Sequence, residues 1–293
     1  MPLNLKPKSQ DFVAEASGID LRVPLETDLA ADIEATMDHY AVLVFPDQHV
    51  DDEQQVAFAK HFGRLEADPT QVAADQRRLA HPDMTDVSNL DAQGRIMPVN
   101  SRRRLANLGN RLWHSDSSFK RIPAKYSFLH SRIVAPEGGE TEFADMRAAW
   151  DALPDKKKDA LRDLVCEHSL LFSRQQLGFS DFTEAERIKH VPVRQRLVRR
   201  HAGSGRMVLY LSSHIGGIVG WPVPEALALI RDLAEHATQR EFVYTHHWRP
   251  NDLVIWDNRS TMHRVRPFED QQYPRDMRRV TLQDSAPTLE QPI

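Results

Sequence analysis

The chain has 293 residues, 41% hydrophobic and 27% charged, with a formal net charge of −4. That is enough sequence to bury a sizeable core, and the balance is that of an ordinary soluble globular protein. It carries no cationic excess of the kind that polyanion binding needs, so no nucleic-acid partner is expected. One cysteine, Cys166, excludes an intramolecular disulfide. It lies in the alternating stretch LVCEHSLLF and reads as a small buried hydrophobe, in keeping with a reducing compartment. The start, MPLNLKPKSQ, has no apolar stretch resembling a secretory signal. The longest apolar runs, such as AVLVF at 41–45, are strand-sized. The expectation is a cytoplasmic protein with no membrane partner.

Along the chain, Thr27 or Asp28 can cap a helix whose Leu29, Ile33 and Met37 recur at spacing four. AVLVF then reads as a buried strand ended by Pro46. Asp51 and Asp52 open a second helix with Val56, Ala59 and Phe62 on one face and Gly63 as its C′ residue. Periodicity is weak from Arg64 to Asn110, apart from the strand-like DVSNL at 86–90. The run NSRRRLANLGNR at 100–111 is the densest charge cluster. It reads as a solvated loop, with a mobile lid attracting an anionic substrate as the functional alternative.

Trp113 to Ala144 reads as β structure with turns, including Gly138-Gly139. Asp145 caps one short helix and Pro154 starts another. Strand-like LVCEHSLLFS, RQRLVRRHA and RMVLYLSS follow, then an amphipathic helix at 224–237, then EFVYTHHW, LVIWDN, MHRVRPF and RDMRRVTL. Without a repeat or linker, residues 1–293 are expected to form one domain, with a lid or loop region near 64–112. Many short strands with a few helices predict a mainly β protein with peripheral helices around a barrel or jelly-roll core.

WHSDSSF at 113–119 is the first chemically suggestive motif. If it is a strand, His114 and Asp116 project to the same side and supply two ligands of a 2-His-1-carboxylate site. The same doublet occurs at His49/Asp51 and His81/Asp83, but Asp51 suits a helix cap and Pro82 disfavours a central strand. His201, His214, His246, His247 and His263 all remain open as the third ligand, and pattern does not choose among them.

WHSDSSF, PEGGETEFADMRAAWDALP at 136–154 and DLVIWDNRSTMHRVRPF at 252–268, followed by RDMRR at 275–279, resemble the taurine dioxygenase family. Within it, the chain is similar to the 2,4-dichlorophenoxyacetate (aryloxyalkanoate) dioxygenases. The resemblance runs from about Ala16 to about Leu282. It implies a double-stranded β-helix core (jelly-roll, cupin-like), iron(II) at His114, Asp116 and His263, and 2-oxoglutarate as co-substrate. It further implies that Arg275 and Thr141 bind the far carboxylate of 2-oxoglutarate, and that Arg279 and Asn110 contact the substrate acid.

In a strand Arg275 and Arg279 would face one side together with Met277, and two inward arginines are costly unless each meets an anion. Twelve positions separate His263 from Arg275, one more than is usual in the family. The extra residue is expected in the turn EDQQYP; a register shift would instead move the roles onto Arg278. His214 reads as structural or superficial, with a pocket position as the alternative.

The activity so implied takes O2 and a small anionic aromatic substrate. It hydroxylates the α-carbon of an aryloxyalkanoate, and the hemiacetal collapses to a phenol and glyoxylate, with succinate and CO2 as co-products. The same chemistry on a sulfonate, an alkyl sulfate or a natural aryl acid is the first alternative. A non-catalytic jelly-roll binding protein is the second. Relatives are often dimers or larger, so a homo-oligomer is an open expectation.

Overall fold

The structure, a computed structural model, describes residues 3–66, 78, 79 and 81–293. Its largest sheet has seven strands in the order β1 (Asn4–Ser9), β2 (Val13–Ser17), β3 (Val42–Phe45), β13 (Leu253–Asp257), β5 (Ala124–Ile133), β15 (Asp276–Gln283) and β4 (Met84–Asp86). All neighbours pair antiparallel except β2 with β3. A three-stranded sheet, β12 (Val243–His246), β6 (Thr141–Asp145) and β14 (Thr261–Val265), packs against it. Two smaller sheets pair β11 (Ile215–Ile218) with β7 (Val165–His168) and β8 (Val193–Arg196), and β10 (Met207–Leu209) with β9 (Val198–Arg200).

Period-two alternation assigns the faces. On β13, Leu253 and Ile255 join one buried cluster, whereas Val254 and Trp256 join another. The first cluster receives Ile33 and Met37 from α1 (Thr27–Tyr40) and Val56 and Phe58 from α2 (Asp52–Lys60). These helices therefore cover the outer face, at the spacing that predicted them. The second cluster unites Trp256, Leu129 and Met277 of the large sheet with Phe143 of β6. It fills the space between the two sheets, and the site opens beside it. A third cluster seats α8 (Val223–Ala237) and α4 (Met146–Asp151) on β10, β11 and the outer face of β6 and β14.

Asp51 caps α2 in a reciprocal capping box with Gln54, and Asp145 caps α4. Pro154 stands at the cap of α5 (Asp155–Leu161). Other boundaries differ from expectation. The α1 cap is Glu26, which makes no side-chain cap bond, so neither Thr27 nor Asp28 serves. α2 ends at Lys60 with His61 as its C-cap, two residues before Gly63. The strand expected at 86–90 begins at Met84 and ends at Asp86; Val87 and Asn89 continue beside β15 only through single backbone bonds to Met277 and Arg275. The strand expected through LVCEHSLLFS stops at His168, because the Ser169 hydroxyl accepts from Phe172 N at 3.2 Å and starts α6 (Leu170–Gln175).

The basic run at 100–111 is helical, not a loop: α3 spans Arg102–Asn107 behind a Ser101 cap, and a 3-10 turn follows at Leu108–Arg111. Its arginines are engaged by carboxylates, Arg102 by Glu186 at 2.8 Å, Arg103 by Asp86 at 2.6 Å, and Arg104 and Arg111 by Asp270 at 3.0 and 3.2 Å. These pairs pin the segment to the body, so the expected attraction of an anionic ligand by the whole cluster does not apply. Of the expected 64–112 lid, residues 67–77 and 80 lie outside the described residues. No described helix is long and apolar enough to cross a membrane. Cys166 is buried, and burial pushes its thiol up to about 12, so it stays protonated at neutral pH.

Candidate active site

His114 and His263 form a single antiparallel bridge, exchanging backbone bonds of 3.0 and 2.8 Å. This places the imidazoles 4.2 Å apart between the two sheets. Asp116 does not reach them by strand alternation, as the His-x-Asp spacing suggested. The chain leaves the bridge after His114 and turns, with Ser117 at φ 53°. Asn258 then steers Asp116: its side-chain oxygen accepts from Asp116 N at 3.0 Å, and its amide donates to Ser127 Oγ at 2.9 Å. Ser127 in turn donates to Asp116 Oδ2 at 2.7 Å.

The result is a three-ligand cluster. Asp116 Oδ1 lies 3.7 Å from His114 Nε2, and Oδ2 lies 3.7 Å from His263 Nε2. The three ligand atoms all fall within 4.8 Å of one another. His114 Nδ1 sits 2.7 Å from the Leu112 carbonyl, which can only accept, so the ring proton is on Nδ1 and Nε2 keeps its lone pair for a metal. Burial lowers the pKa of both imidazoles, keeping them neutral as ligation requires. Burial alone would raise the Asp116 carboxyl, but the Arg279 guanidinium and the Ser127 hydroxyl outweigh it and hold it well below the usual carboxylate range. Two neutral imidazoles and one carboxylate on one side of a buried point fit an iron(II) site with open positions.

The remaining histidines are occupied elsewhere. His201 lies 2.9 Å from Asp257, which Arg259 already neutralises at 2.6 Å. His246 lies 3.2 Å from Asp252. His247 is 77% exposed on its side chain. His214 is neither superficial nor a ligand. It is buried, receives or donates a 2.9 Å bond with Ser173 Oγ, and lines the larger of two cavities.

Those cavities meet at the histidine–carboxylate cluster. The smaller, about 90 Å³, is lined by His114, His263, Thr141, Leu129, Trp256 and Arg275. The larger, about 780 Å³, is lined by His114, Asp116, Arg279, Phe119, Leu171 and Phe179 among others. Asn110, in the 3-10 turn and not in a loop as expected, borders both.

Arg275 is only 6% exposed. Among the described residues it has no carboxylate partner; Nη2 donates to the Gly139 carbonyl at 3.2 Å, and the Phe268 ring lies 5.9 Å from the guanidinium. Burial pushes it down to about 10, so it remains a cation at neutral pH with no anion of its own. Its position precedes β15, and a bulge at Asp276–Met277 separates it from Arg279, so the two are not on one regular strand face. Arg279 points at the cluster, its Nη1 donating to Asp116 Oδ1 at 2.6 Å. Arg278 lies on the opposite face and pairs with Asp52. The extra residue after His263 therefore does not transfer these positions to Arg278.

The Gly138-Gly139 pair makes room for Arg275. Both have φ of 73°; a Cβ on Gly138 would lie 2.4 Å from the Pro267 carbonyl, and one on Gly139 would lie 3.2 Å from Arg275 Nε. Gly138→Ala is expected to cost about 2–4 kcal/mol, the sum of left-handed strain and a backbone clash. A denaturant midpoint unchanged from wild type would contradict that.

Sequence reasoning singled out the three ligand residues but not the groups that aim them. Asn258 and Ser127 carry no spacing signal, since their contacts join segments far apart in the chain. Arg174, also in the large-cavity wall, follows directly on a stretch read as strand and stands out by no pattern of its own.

Comparison with known proteins agrees with this geometry. The family model of taurine catabolism dioxygenase TauD, TfdA family, matches residues 4–281. The alpha-ketoglutarate-dependent 2,4-dichlorophenoxyacetate dioxygenase of Cupriavidus pinatubonensis is 45% identical over 275 residues, covering 94% of this chain and 96% of that one. The (S)-phenoxypropionate/alpha-ketoglutarate-dioxygenase of Sphingobium herbicidovorans is 33% identical, covering 91% and 90%. The crystal structure of AAD-2 in complex with Mn(II) and N-oxalylglycine superposes with a TM-score of 0.95 at 53% identity, covering 98% of this chain and 100% of that one.

Proposed function

The chain belongs to the TauD, TfdA dioxygenase family and is a 2-oxoglutarate-dependent non-haem iron dioxygenase; from that premise we propose that it hydroxylates the α-carbon of an aryloxyalkanoate of the 2,4-dichlorophenoxyacetate kind. The observation that carries the reading is a metal-ligand cluster set between two cavities, with Arg275 in the wall of the smaller and Arg279 in the walls of both. A site of this form serves two organic anions at once.

His114, Asp116 and His263 would hold iron(II). Arg275 and Thr141 would take the far carboxylate of 2-oxoglutarate in the small cavity; a buried guanidinium without a counter-ion is the group such a carboxylate suits. Trp248 Nε1 donates to Thr141 Oγ1 at 2.9 Å, leaving the hydroxyl proton free for the carboxylate. When bound, iron(II) and 2-oxoglutarate supply the O2-derived oxidant, with succinate and CO2 as co-products.

Arg279 and Asn110 would orient the substrate's acid so that its α-carbon faces the ligand cluster. Phe119, Leu171 and Phe179 offer the apolar wall for the aryl ring. The hydroxylated carbon is a hemiacetal, which loses a phenol and leaves glyoxylate. On this reading the facing sheets are the halves of a double-stranded β-helix, residues 1–293 act as one domain, and the described part of the stretch near 64–112, from Arg78 to Asn110, borders the substrate cavity. A cytoplasmic setting suits the lone buried thiol.

Succinate release tests the reading on a panel of aryloxyacetates, aryloxypropionates, alkyl sulfates and taurine. Stimulation by an aryloxyacetate is the expected result. A response confined to a sulfate or sulfonate, or none to any aryloxy acid, would overturn the choice of substrate.

A further inference from the structure

Five arginines reach the wall of the large cavity: Arg78, Arg102, Arg103, Arg174 and Arg279. Four are neutralised. Arg78 lies 2.8 Å from Asp86 and 2.6 Å from Asp276, Arg102 2.8 Å from Glu186, Arg103 2.6 Å from Asp86, and Arg279 2.6 Å from Asp116. Arg174 has no ion pair among the described residues. Its one side-chain bond there runs from Nη1 to the neutral hydroxyl of Ser173, at 3.2 Å.

The side chain is held in that position by its surroundings. Ser169 fixes the start of α6, and Ser173, beside Arg174, meets His214 across the cavity wall at 2.9 Å. The guanidinium lies against the backbone of Gly109, where a Cβ would come within 2.0 Å of Nη1 and 2.3 Å of Cζ. Gly109 belongs to the same 3-10 turn as Asn110, the residue that borders both cavities. With glycine at 109 the guanidinium rests over this turn; a Cβ there would force it to shift.

Burial, with the charge of Arg279 nearby, pushes Arg174 down to about 10, which still leaves it charged at neutral pH. A partly buried cation without a counter-ion is unfavourable unless an anion arrives. Arg279 is less free than its sequence position suggests, because one of its terminal nitrogens is engaged by Asp116.

We propose that Arg174 is a second anion anchor of the substrate cavity, holding the substrate's acidic group jointly with Arg279, and that Gly109 is the position that admits it. This inference rests on the reading of the large cavity as the substrate site. Two guanidiniums from different elements fix a carboxylate in direction as well as in place, which a single one does not. The geometry also explains why α6 and the 108–111 turn must stay in contact.

The test compares wild type with Arg174→Met, Arg174→Lys and Gly109→Ala. Steady-state kinetics with 2,4-dichlorophenoxyacetate and 2-oxoglutarate are combined with calorimetry on protein loaded with Mn(II) and N-oxalylglycine. The calorimetric ligands are 2,4-dichlorophenoxyacetate and its uncharged amide. Arg174→Met is expected to weaken the acid about 30-fold or more, as loss of a hydrogen bond to a charged group does. The amide should change little, and KM for 2-oxoglutarate should stay within about twofold. Arg174→Lys should recover part of the loss, and Gly109→Ala should weaken the acid in the same selective way.

Acid binding within threefold of wild type in Arg174→Met, or equal weakening of acid and amide, would overturn the anchor. Should wild type use a sulfonate or alkyl sulfate instead, the substrate assignment falls. Selective weakening of that anion by Arg174→Met would still support the anchor, and its absence would overturn it.

Discussion

Asp116→Ala is expected to abolish succinate release, a fall of about 10³-fold or more, because one side chain answers three separate demands. It supplies the only carboxylate of the ligand cluster, with its two oxygens 3.7 Å from His114 Nε2 and His263 Nε2. It also neutralises Arg279 at 2.6 Å and accepts the Ser127 hydroxyl at 2.7 Å. Removing it leaves two imidazoles, which hold a hard divalent cation poorly, and strands a guanidinium inside the protein. Breaking a buried pair in this way costs on the order of 3–5 kcal/mol. The variant should therefore melt below wild type as well as lose the metal. Asp116→Asn separates the two effects: it keeps the shape and one acceptor for Ser127, yet loses the charge. Mn(II) affinity followed by the resonance of free Mn(II) reads the metal step without turnover. Ser127→Ala, which removes the bond to the carboxylate and the acceptor of the Asn258 amide, should weaken Mn(II) by about 10–100-fold, the range for groups that orient ligands. Wild-type Mn(II) affinity in Asp116→Ala would remove the carboxylate from the metal site.

What the sequence made legible follows the range of the interactions. Helices over 27–40, 52–60 and 223–237 are set by local periodicity, with a side-chain cap only on the second, and they stand where the pattern places them. His114 and Asp116 could be nominated by spacing, but for a reason the structure replaces. A strand would have aligned them automatically, whereas a turn at Ser117 and the amide of Asn258, from 142 positions away, perform the alignment. His263 among the five candidate histidines was not distinguishable locally, because what separates it is the bridge to His114. The charge run at 100–111 misled for a related reason. Its countercharges, Asp86, Glu186 and Asp270, come from distant segments, so a helix pinned by ion pairs looked like a solvated loop. Arg174 was hidden in the same way, since its significance lies in the partner it lacks.

Arg275→Met is expected to change stability and co-substrate binding in opposite directions. In the structure Arg275 is buried with a single carbonyl, that of Gly139, and the edge of the Phe268 environment for company. Burial is the sole cause that lowers its pKa from the ordinary arginine value, to about 10. A cation whose folded-state pKa is depressed opposes folding at every pH below that value, and the opposition fades only as pH rises above about 10. At neutral pH the full penalty is present. Methionine fills much of the same volume without it, so the variant should be more stable than wild type in the absence of 2-oxoglutarate, by about 1–3 kcal/mol. Binding reverses the order. Loss of the buried guanidinium should raise the KM for 2-oxoglutarate by about 10²–10³-fold, the effect of truncating one partner of a buried charge pair. A ligand at 100 times its Kd stabilises the protein that binds it by about 2.7 kcal/mol, and this linkage would be largely lost in the variant. Melting curves with Mn(II) present, recorded without and with excess 2-oxoglutarate, should therefore cross: the variant higher without the co-substrate, wild type level or higher with it. A variant that melts lower in both conditions, or binds 2-oxoglutarate within threefold of wild type, would mean that Arg275 is held by the fold and does not wait for an anion.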